Sequence, residues 1–225
     1  VIPPDADSEF VACMEEVLDT YEEPYNPKVP VICMDEQPVQ LHKETRSPIP
    51  ATGRRPQRVD YEYERCGTAC VFMFTEPLAG WRQVSVRERR TKIDWALEME
   101  SLLTGRYKDA DKVVLICDNL NTHTKGAFYE IFKPEKARSL VKKIEFRYTP
   151  KHGSWLNQAE IEIGIFSRQC LGKRRIPSLA DLRRQTRSWN LQTNRSRIKI
   201  KWQFDRKAAR RKFGYKPNFF KRSKN

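Results

Sequence analysis

Hydrophobic and polar positions change period several times along the chain. "DSEFVACMEEVLDTY" carries Phe10, Met14, Val17, Leu18 and Tyr21 at spacings of three and four, which predicts an amphipathic helix capped by Asp7 or Ser8. "EEPYNPK" breaks it, and "VPVICMDEQ" follows as a short β-branched run closing in acids, the pattern of a buried strand. "HKETRSPIPATGRRPQR", residues 42–58, has no period and reads as a Pro- and Arg-rich loop. "VDYEYER", "GTACVFMFTEP" and "GWRQVSVRERR" have strand composition with turn-like separators, predicting an antiparallel meander.

The second half alternates. "TKIDWALEMESLLTGRY" repeats Ile93, Ala96, Leu97, Met99 and Leu102 at helical spacing, and "KVVLICDN" is a second buried strand ending in an acid. "THTKGAFYEIF" and "PEKARSLVKK" predict short helices, and "IEFRYTP" another strand. A helix then runs from the "GSWLNQAEIEIGIF" stretch to about Cys170, and "SLADLRRQTRSWNLQTN" starts a further one with Ser178 as its cap. No internal repeat is visible. This order predicts an α/β layered domain, a mixed sheet flanked by helices.

Charge adds a direction. The 225 residues carry a net +14, unevenly spread. Ten acids face Lys28 alone between Val1 and Glu36, whereas Asp181 and Asp205 are the only acids among 19 Lys or Arg from Gly172 onward. That asymmetry points to a polyanionic partner held by the C-terminal third, against the plainer reading of a solvated basic surface. The six cysteines include no CxxC pair and no zinc spacing; Cys33 and Cys117 sit in apolar runs as ordinary buried thiols, so a reducing cytoplasm is expected rather than secretion. No apolar run reaches membrane-spanning length, and no signal peptide is expected. Because the chain starts at Val1, an upstream portion is expected to be missing.

Two predicted strands end in carboxylates, Asp35 and Asp118. Alternation turns Asp35 to the side of Val31 and Cys33, and Glu36 to that of Met34. Strand C-terminal ends are where α/β sheets place their sites. A lone Asp there is more often a turn or cap residue, but two together ask for a third carboxylate from a helix. Glu160 and Glu162 are the candidates, and two helical steps turn them about 200° apart, so both cannot serve. Asn157 shares the face of Glu160, which gives a polar cluster of Asp35, Asp118, Asn119, Asn157 and Glu160 and leaves Glu162 as a surface acid. Clustered carboxylates repel one another unless cations intervene. Hard oxygen donors with little His or Cys select Mg²⁺. Two such ions, about 4 Å apart, would activate a water or a 3′-hydroxyl in phosphodiester exchange.

The blocks "CMDEQ", "RVDYEYERCGTACVFMF", "LICDNLNTHT" and "RYTPKHGSWLNQAEIEIGIFSRQCL", in that order, resemble the bacterial mariner-superfamily insertion-sequence transposases of the insertion-sequence-six-thirty group. The likeness runs from about Pro3 to the last few tens of residues. It implies a ribonuclease H-like catalytic domain over 1–195, with a five-stranded mixed sheet made of a three-strand antiparallel meander plus parallel strands. It also implies an Asp-Asp-Glu triad of Asp35, Asp118 and Glu160 holding two Mg²⁺, with Mn²⁺ able to substitute. Forty-one residues separate Asp118 from Glu160, compatible with that group. The implied activity is DNA cleavage and strand transfer in cut-and-paste transposition. The implied partners are double-stranded DNA (transposon ends and a TA target) and a second copy in a homodimer, at the nucleoid in the cytoplasm. The family's N-terminal helix-turn-helix domain is expected to be absent. A catalytically silent or truncated DNA-binding derivative stays open, as does a nuclease or resolvase of the same fold without strand transfer.

Further candidates surround this core. His123 fits the family's "DNxxxH" and would contact a scissile phosphate, orient a ligand or make a structural hydrogen bond. Lys151 and His152 are candidate DNA contacts, as are Arg54, Arg55 and Arg58 in the loop, Arg87, Arg89 and Arg90 after the meander, and Lys173, Arg174 and Arg175. Ser154 is expected to cap the acid helix, Trp155 and Leu156 to be core, and His42 to have no partner. The basic tail, 196–225, interleaves Trp202, Phe204, Phe213, Tyr215, Phe219 and Phe220 with Lys and Arg. It reads as a DNA-binding or dimer-contacting extension, with single-strand stacking as the alternative.

Overall fold

A computed structural model describes residues 8–215. Its centre is a five-stranded sheet in the order β3–β2–β1–β4–β5, built from β1 (Val31–Glu44), β2 (Tyr63–Glu76), β3 (Trp81–Arg87), β4 (Val113–Cys117) and β5 (Ile144–Tyr148). The first three strands are antiparallel neighbours, while β1, β4 and β5 run parallel. The expected mixed sheet is present, with one difference in how the meander is assembled. Residues 63–65 of "VDYEYER" belong to the same strand as "GTACVFMFTE", and β1 itself supplies the third antiparallel strand.

The other difference has consequences for the site. β1 does not stop at its acids but continues to Glu44, paired with β2 throughout apart from an irregularity between Gln40 and His42. Its parallel pairing with β4 ends at Cys33↔Ile116. Pro38 fits inside this strand because that flank has no neighbour there to receive an N–H. Asp35 therefore lies in mid-strand, opposite Met73 on β2. Two further residues along the parallel register bring it level with Asp118, just beyond β4. The supposed loop is a projecting arm: 42–44 belong to β1, and two bridges, Ile49↔Arg58 and Thr52↔Arg55, close a small hairpin at its tip. His42 is not alone, since its ring meets that of Tyr63 at 4.3 Å.

Strand alternation sends side chains to two cores. Ile32, Met34, Phe72, Phe74, Leu115 and Cys117 face α2 (Lys92–Thr104), α3 (Lys125–Tyr129) and α4 (Pro134–Lys142). Cys33, Val71, Met73, Val84 and Ile116 face α1 (Ser8–Glu22), α5 (Gln158–Phe166), α6 (Leu179–Ser196) and α7 (Arg206–Phe213). α2 begins with a capping box between Thr91 and Asp94. Ser178 caps α6 as expected by accepting from Asp181 N–H, whereas the candidate cap Asp7 lies outside the described residues. None of the six cysteines is joined in a disulfide. Among the described residues no helix is long and apolar enough to cross a membrane.

α6 lies along β3 and attaches to it through side chains. The Asn190 amide accepts from Val84 N–H and donates to Val84 C=O, Asn194 does the same at Arg82, and Arg183 donates to Val86 C=O. Past α6, residues 197–204 cross the β2–β3 hairpin as an irregular strap tied by Ile200 N–H to Pro77 C=O. Gly80 (φ +66) passes under it so closely that a Cβ would lie 2.3 Å from Arg197 O. The aromatics of the basic extension point inward: Trp202 packs on Tyr21, and Phe204 and Phe213 pack on Trp155. Phe204 and Phe213 are therefore not free to stack on bases; Phe219 and Phe220 lie outside the described residues. α7 rests on α1 through Arg206–Asp19 and Arg210–Glu15 pairs, so the acidic N-terminal and basic C-terminal segments meet.

Candidate active site

Asp35 sits where β1 outruns β4, and its Oδ1 accepts from the N–H of Glu36 at 2.7 Å. Burial raises its carboxyl first of all, the Glu36 N–H pulls it down, and the charges of Asp118, Glu160 and Glu36 push it up again, to about 7. The same residues that expectation gathered thus feel one another. Behind them lies a group whose arrangement the sequence did not reveal. His123 is fully buried, with Nε2 3.0 Å from Glu36 Oε1 and Nδ1 2.6 Å from Asp118 Oδ1. The second contact is close but poorly directed, since Asp118 Oδ1 makes no hydrogen bond of normal geometry. Burial opposes charge on this ring, but Asp118, the Cys117 thiol and Glu36 outweigh it and lift His123 to about 12. His123 is thus an imidazolium bridging two acids from neighbouring strands, packed on Trp95 at 5.6 Å. Tyr148 OH donates to its backbone carbonyl. Glu36 was assigned to the correct face by alternation, but nothing local pointed to its partner 87 positions away.

α5 carries the third candidate acid. Its cap is Asn157, not Ser154, which opens a short 3₁₀ turn (Ser154–Leu156) just before it. The Asn157 Oδ1 accepts from Ala159 N–H, and its Nδ2 donates to Met34 C=O at 2.8 Å. The side chain is therefore spent on fastening the start of α5 to β1 beside Asp35, and does not join the acid cluster as a free donor. Leu156 is core, as expected, and Trp155 is half-buried against Phe204 and Phe213. Glu160 stands exposed in the first helical turn. The expectation for its neighbour is overturned. Glu162 is no surface acid: its side chain is 1% exposed and its Oε1 lies 2.7 Å from Arg82 Nη2, itself 3% exposed. Helical phase separated the two glutamates but could not say which side faced inward.

Residues 30–183, more than half of the chain and the span that contains all three acids, match the family model of the DDE superfamily endonucleases. The chain belongs to that family. Solved structures with the same fold include a Mos1 mariner paired-end complex with Mn (12% identity, TM-score 0.55). A Mos1 transposase paired-end complex with left transposon end (11%, 0.56) and a Mos1 strand transfer complex (12%, 0.57) are also similar. Each comparison covers 88% of this chain and 61%, 60% and 58% of the other, respectively, so the chain spans less than two thirds of those proteins. They establish a ribonuclease H-like fold. No curated protein matches the sequence.

For this DDE superfamily chain the donor chemistry suits a hard cation. Asp35, Asp118 and Glu160 offer carboxylate oxygens only, and a part-buried carboxyl raised to about 7 among other acids is a site short of positive charge. Among the described residues, however, no three His, Cys, Asp or Glu side chains are gathered closely enough to hold an ion as they stand. Asp118 Oδ1 is turned toward His123, and Glu160 is exposed to solvent. The fit is one of chemistry and charge, with the Glu36–His123 pair placed to orient Asp118 from behind, as outer carboxylate–histidine partners do at metal sites.

The raised carboxyl has a measurable sign. A folded state that holds the Asp35 proton up to about pH 7 loses stability as pH climbs from the ordinary carboxylate range through that value, and the full penalty persists above it. Asp35→Asn is therefore expected to melt several degrees higher than wild type at pH 8 in EDTA, with the gap closing toward pH 4. Mg²⁺ or Mn²⁺ should raise the melting temperature of wild type only.

The candidate DNA contacts divide. Arg54, Arg55 and Arg58 are exposed on the arm's tip hairpin, and Lys151 and His152 (φ 62) are exposed in the turn before α5. Asn119 is exposed beside Asp118, and Lys173 and Arg174 are exposed beyond Gly172. Arg175 is already committed: it ion-pairs with Glu44, donates to the Asp60 and Glu62 carbonyls and lies over Tyr63, clamping the base of the arm. Arg87 is likewise held by Glu98 and Asp94. Arg89 and Arg90 are exposed.

Proposed function

We propose that this chain is the catalytic domain of a DDE transposase, cutting DNA phosphodiester bonds and joining the ends to a target through Asp35, Asp118 and Glu160. The observation that supports this reading best is the Asp35 carboxyl, raised by burial and by the charges of the other two acids inside the family-matched segment. Asp35, Asp118 and Glu160 would hold the divalent ions, two Mg²⁺ by the sequence resemblance. When bound, such ions supply an activated water or 3′-hydroxyl and a stabilised leaving oxygen. The protein's own part is positioning. Asn157 fixes the start of α5 against β1, His123 and Glu36 hold Asp118, and Lys151, His152, Arg54, Arg55 and Arg58 would bind backbone phosphates. Transposon-end DNA is the partner, as the name of the Mos1 paired-end complex with left transposon end states for that protein; a second copy of the chain is the further partner that the sequence resemblance implies.

The deciding experiment incubates the purified chain with supercoiled DNA and with terminal-repeat DNA, in Mg²⁺, Mn²⁺ or EDTA. Nicking and joined products in either metal and none in EDTA are expected. Retention of DNA without metal-dependent cleavage would instead identify a silent, DNA-holding derivative, and cleavage without joining a nuclease of the same fold.

A further inference from the structure

The strap over the β2–β3 hairpin encloses a feature that the acid site does not use. Beneath it lies a cavity of about 320 Å³ with Tyr21, Val31, Gln158 and Trp202 on its walls and Lys199 and Lys201 also lining it. None of Asp35, Asp118 and Glu160 lines it. The size is that of a small-molecule pocket. Three properties narrow what fits. The Trp202 ring stands 5.2 Å from that of Tyr21, forming an aromatic wall. Gln158 is 1% exposed, yet its Oε1 has no hydrogen-bond partner, and a buried amide left this way is costly unless something answers it. Lys199 and Lys201 are exposed and have no anionic partner among the described residues.

An apolar ligand would leave the buried amide unanswered and make no use of the lysines at the cavity's rim. Inorganic phosphate would ignore the aromatic wall. A planar heteroaromatic ring with a donor–acceptor edge and an attached phosphate answers all three, since a carboxamide pairs with a base edge, an indole offers a stacking face and lysines take the phosphate. We propose that this cavity binds a nucleotide, its base against Trp202 with its polar edge on the Gln158 amide, and its phosphate at Lys199 and Lys201. The nucleotide is either a free nucleoside monophosphate or an unstacked residue of a nucleic-acid strand.

The test uses the full chain in EDTA, so it stands whether or not the protein cleaves DNA. Adenosine 5′-monophosphate is titrated while NMR follows the Trp202 indole N–H and the Gln158 side-chain amide. Saturable shifts of both are expected. Adenosine, lacking the phosphate, should bind about tenfold more weakly, as should Gln158→Leu and the double variant Lys199→Glu/Lys201→Glu. Ribose 5-phosphate should leave the Gln158 signal unmoved. A short single-stranded oligodeoxyadenylate that displaces the monophosphate identifies a strand as the source; failure to displace it identifies the free nucleotide. Should Gln158→Leu not fold, the exposed lysine pair still decides. If neither probe shifts both signals saturably, or if affinity is unchanged in the folded variants, the proposal is overturned.

Discussion

Glu160→Gln is expected to lower metal-dependent DNA cleavage by about 10³-fold or more while leaving the melting temperature within a degree or two of wild type. The first half follows from the proposed role: loss of a ligand carboxylate removes part of the charge that holds a divalent ion, and groups acting as one unit fail together. The second follows from exposure, since a solvated first-turn glutamate contributes little to folding. Both readouts matter, because a variant that lost activity by unfolding would mimic a lost ligand. Cleavage rates in Mg²⁺ and Mn²⁺, beside a thermal melt of the same preparation, check the prediction. Full activity in Glu160→Gln would remove this residue from the site and return the choice of third acid to the other carboxylates.

The second large effect belongs to Glu162. Replacing it with Ala leaves the Arg82 guanidinium buried without its carboxylate, in a position where it also donates to Ile198 C=O. Breaking such a pair from one side costs about 3–5 kcal/mol, whereas removing both charges in favour of apolar groups is often near neutral. Glu162→Ala should therefore lower the melting temperature by on the order of 10 °C, at the rate expected for a chain of this size. Arg82→Met combined with Glu162→Leu should recover most of that loss. A melt of Glu162→Ala indistinguishable from wild type would show that the pair is not closed in solution. Glu162 is consequently a poor activity control for Glu160: its loss would act on the whole of α5, through its tie to β3.

These two glutamates also measure what could be read from the chain. Phase showed that they diverge, but "QAEIEIGIF" is apolar on nearly every side, so no single face declared itself as the inner one. The deciding partner, Arg82, lies 80 positions away on an edge strand. The strands were legible because β-branched runs such as "KVVLIC" and the alternation through "VICMDE" are local signals. The length of β1 was not, because Pro38 and the polar residues around it look like a break unless one knows that β4 has already ended. The same non-locality hid the arm, whose paired backbone is anchored by Arg175 more than a hundred residues later. Asp35 and Asp118 were found through their strands. The buried Glu36–His123 bridge needed two strands laid side by side before it could be seen.

The asparagines of α6 have one more effect. An edge strand normally presents a row of unpaired backbone groups on which another chain can polymerise. Here Asn190 and Asn194 already occupy those of Val84 and Arg82. The β3 margin is thus closed to strand addition along Arg82 and Val84, and a second copy that pairs with the sheet would have to use another margin, such as the short, charged one at β5.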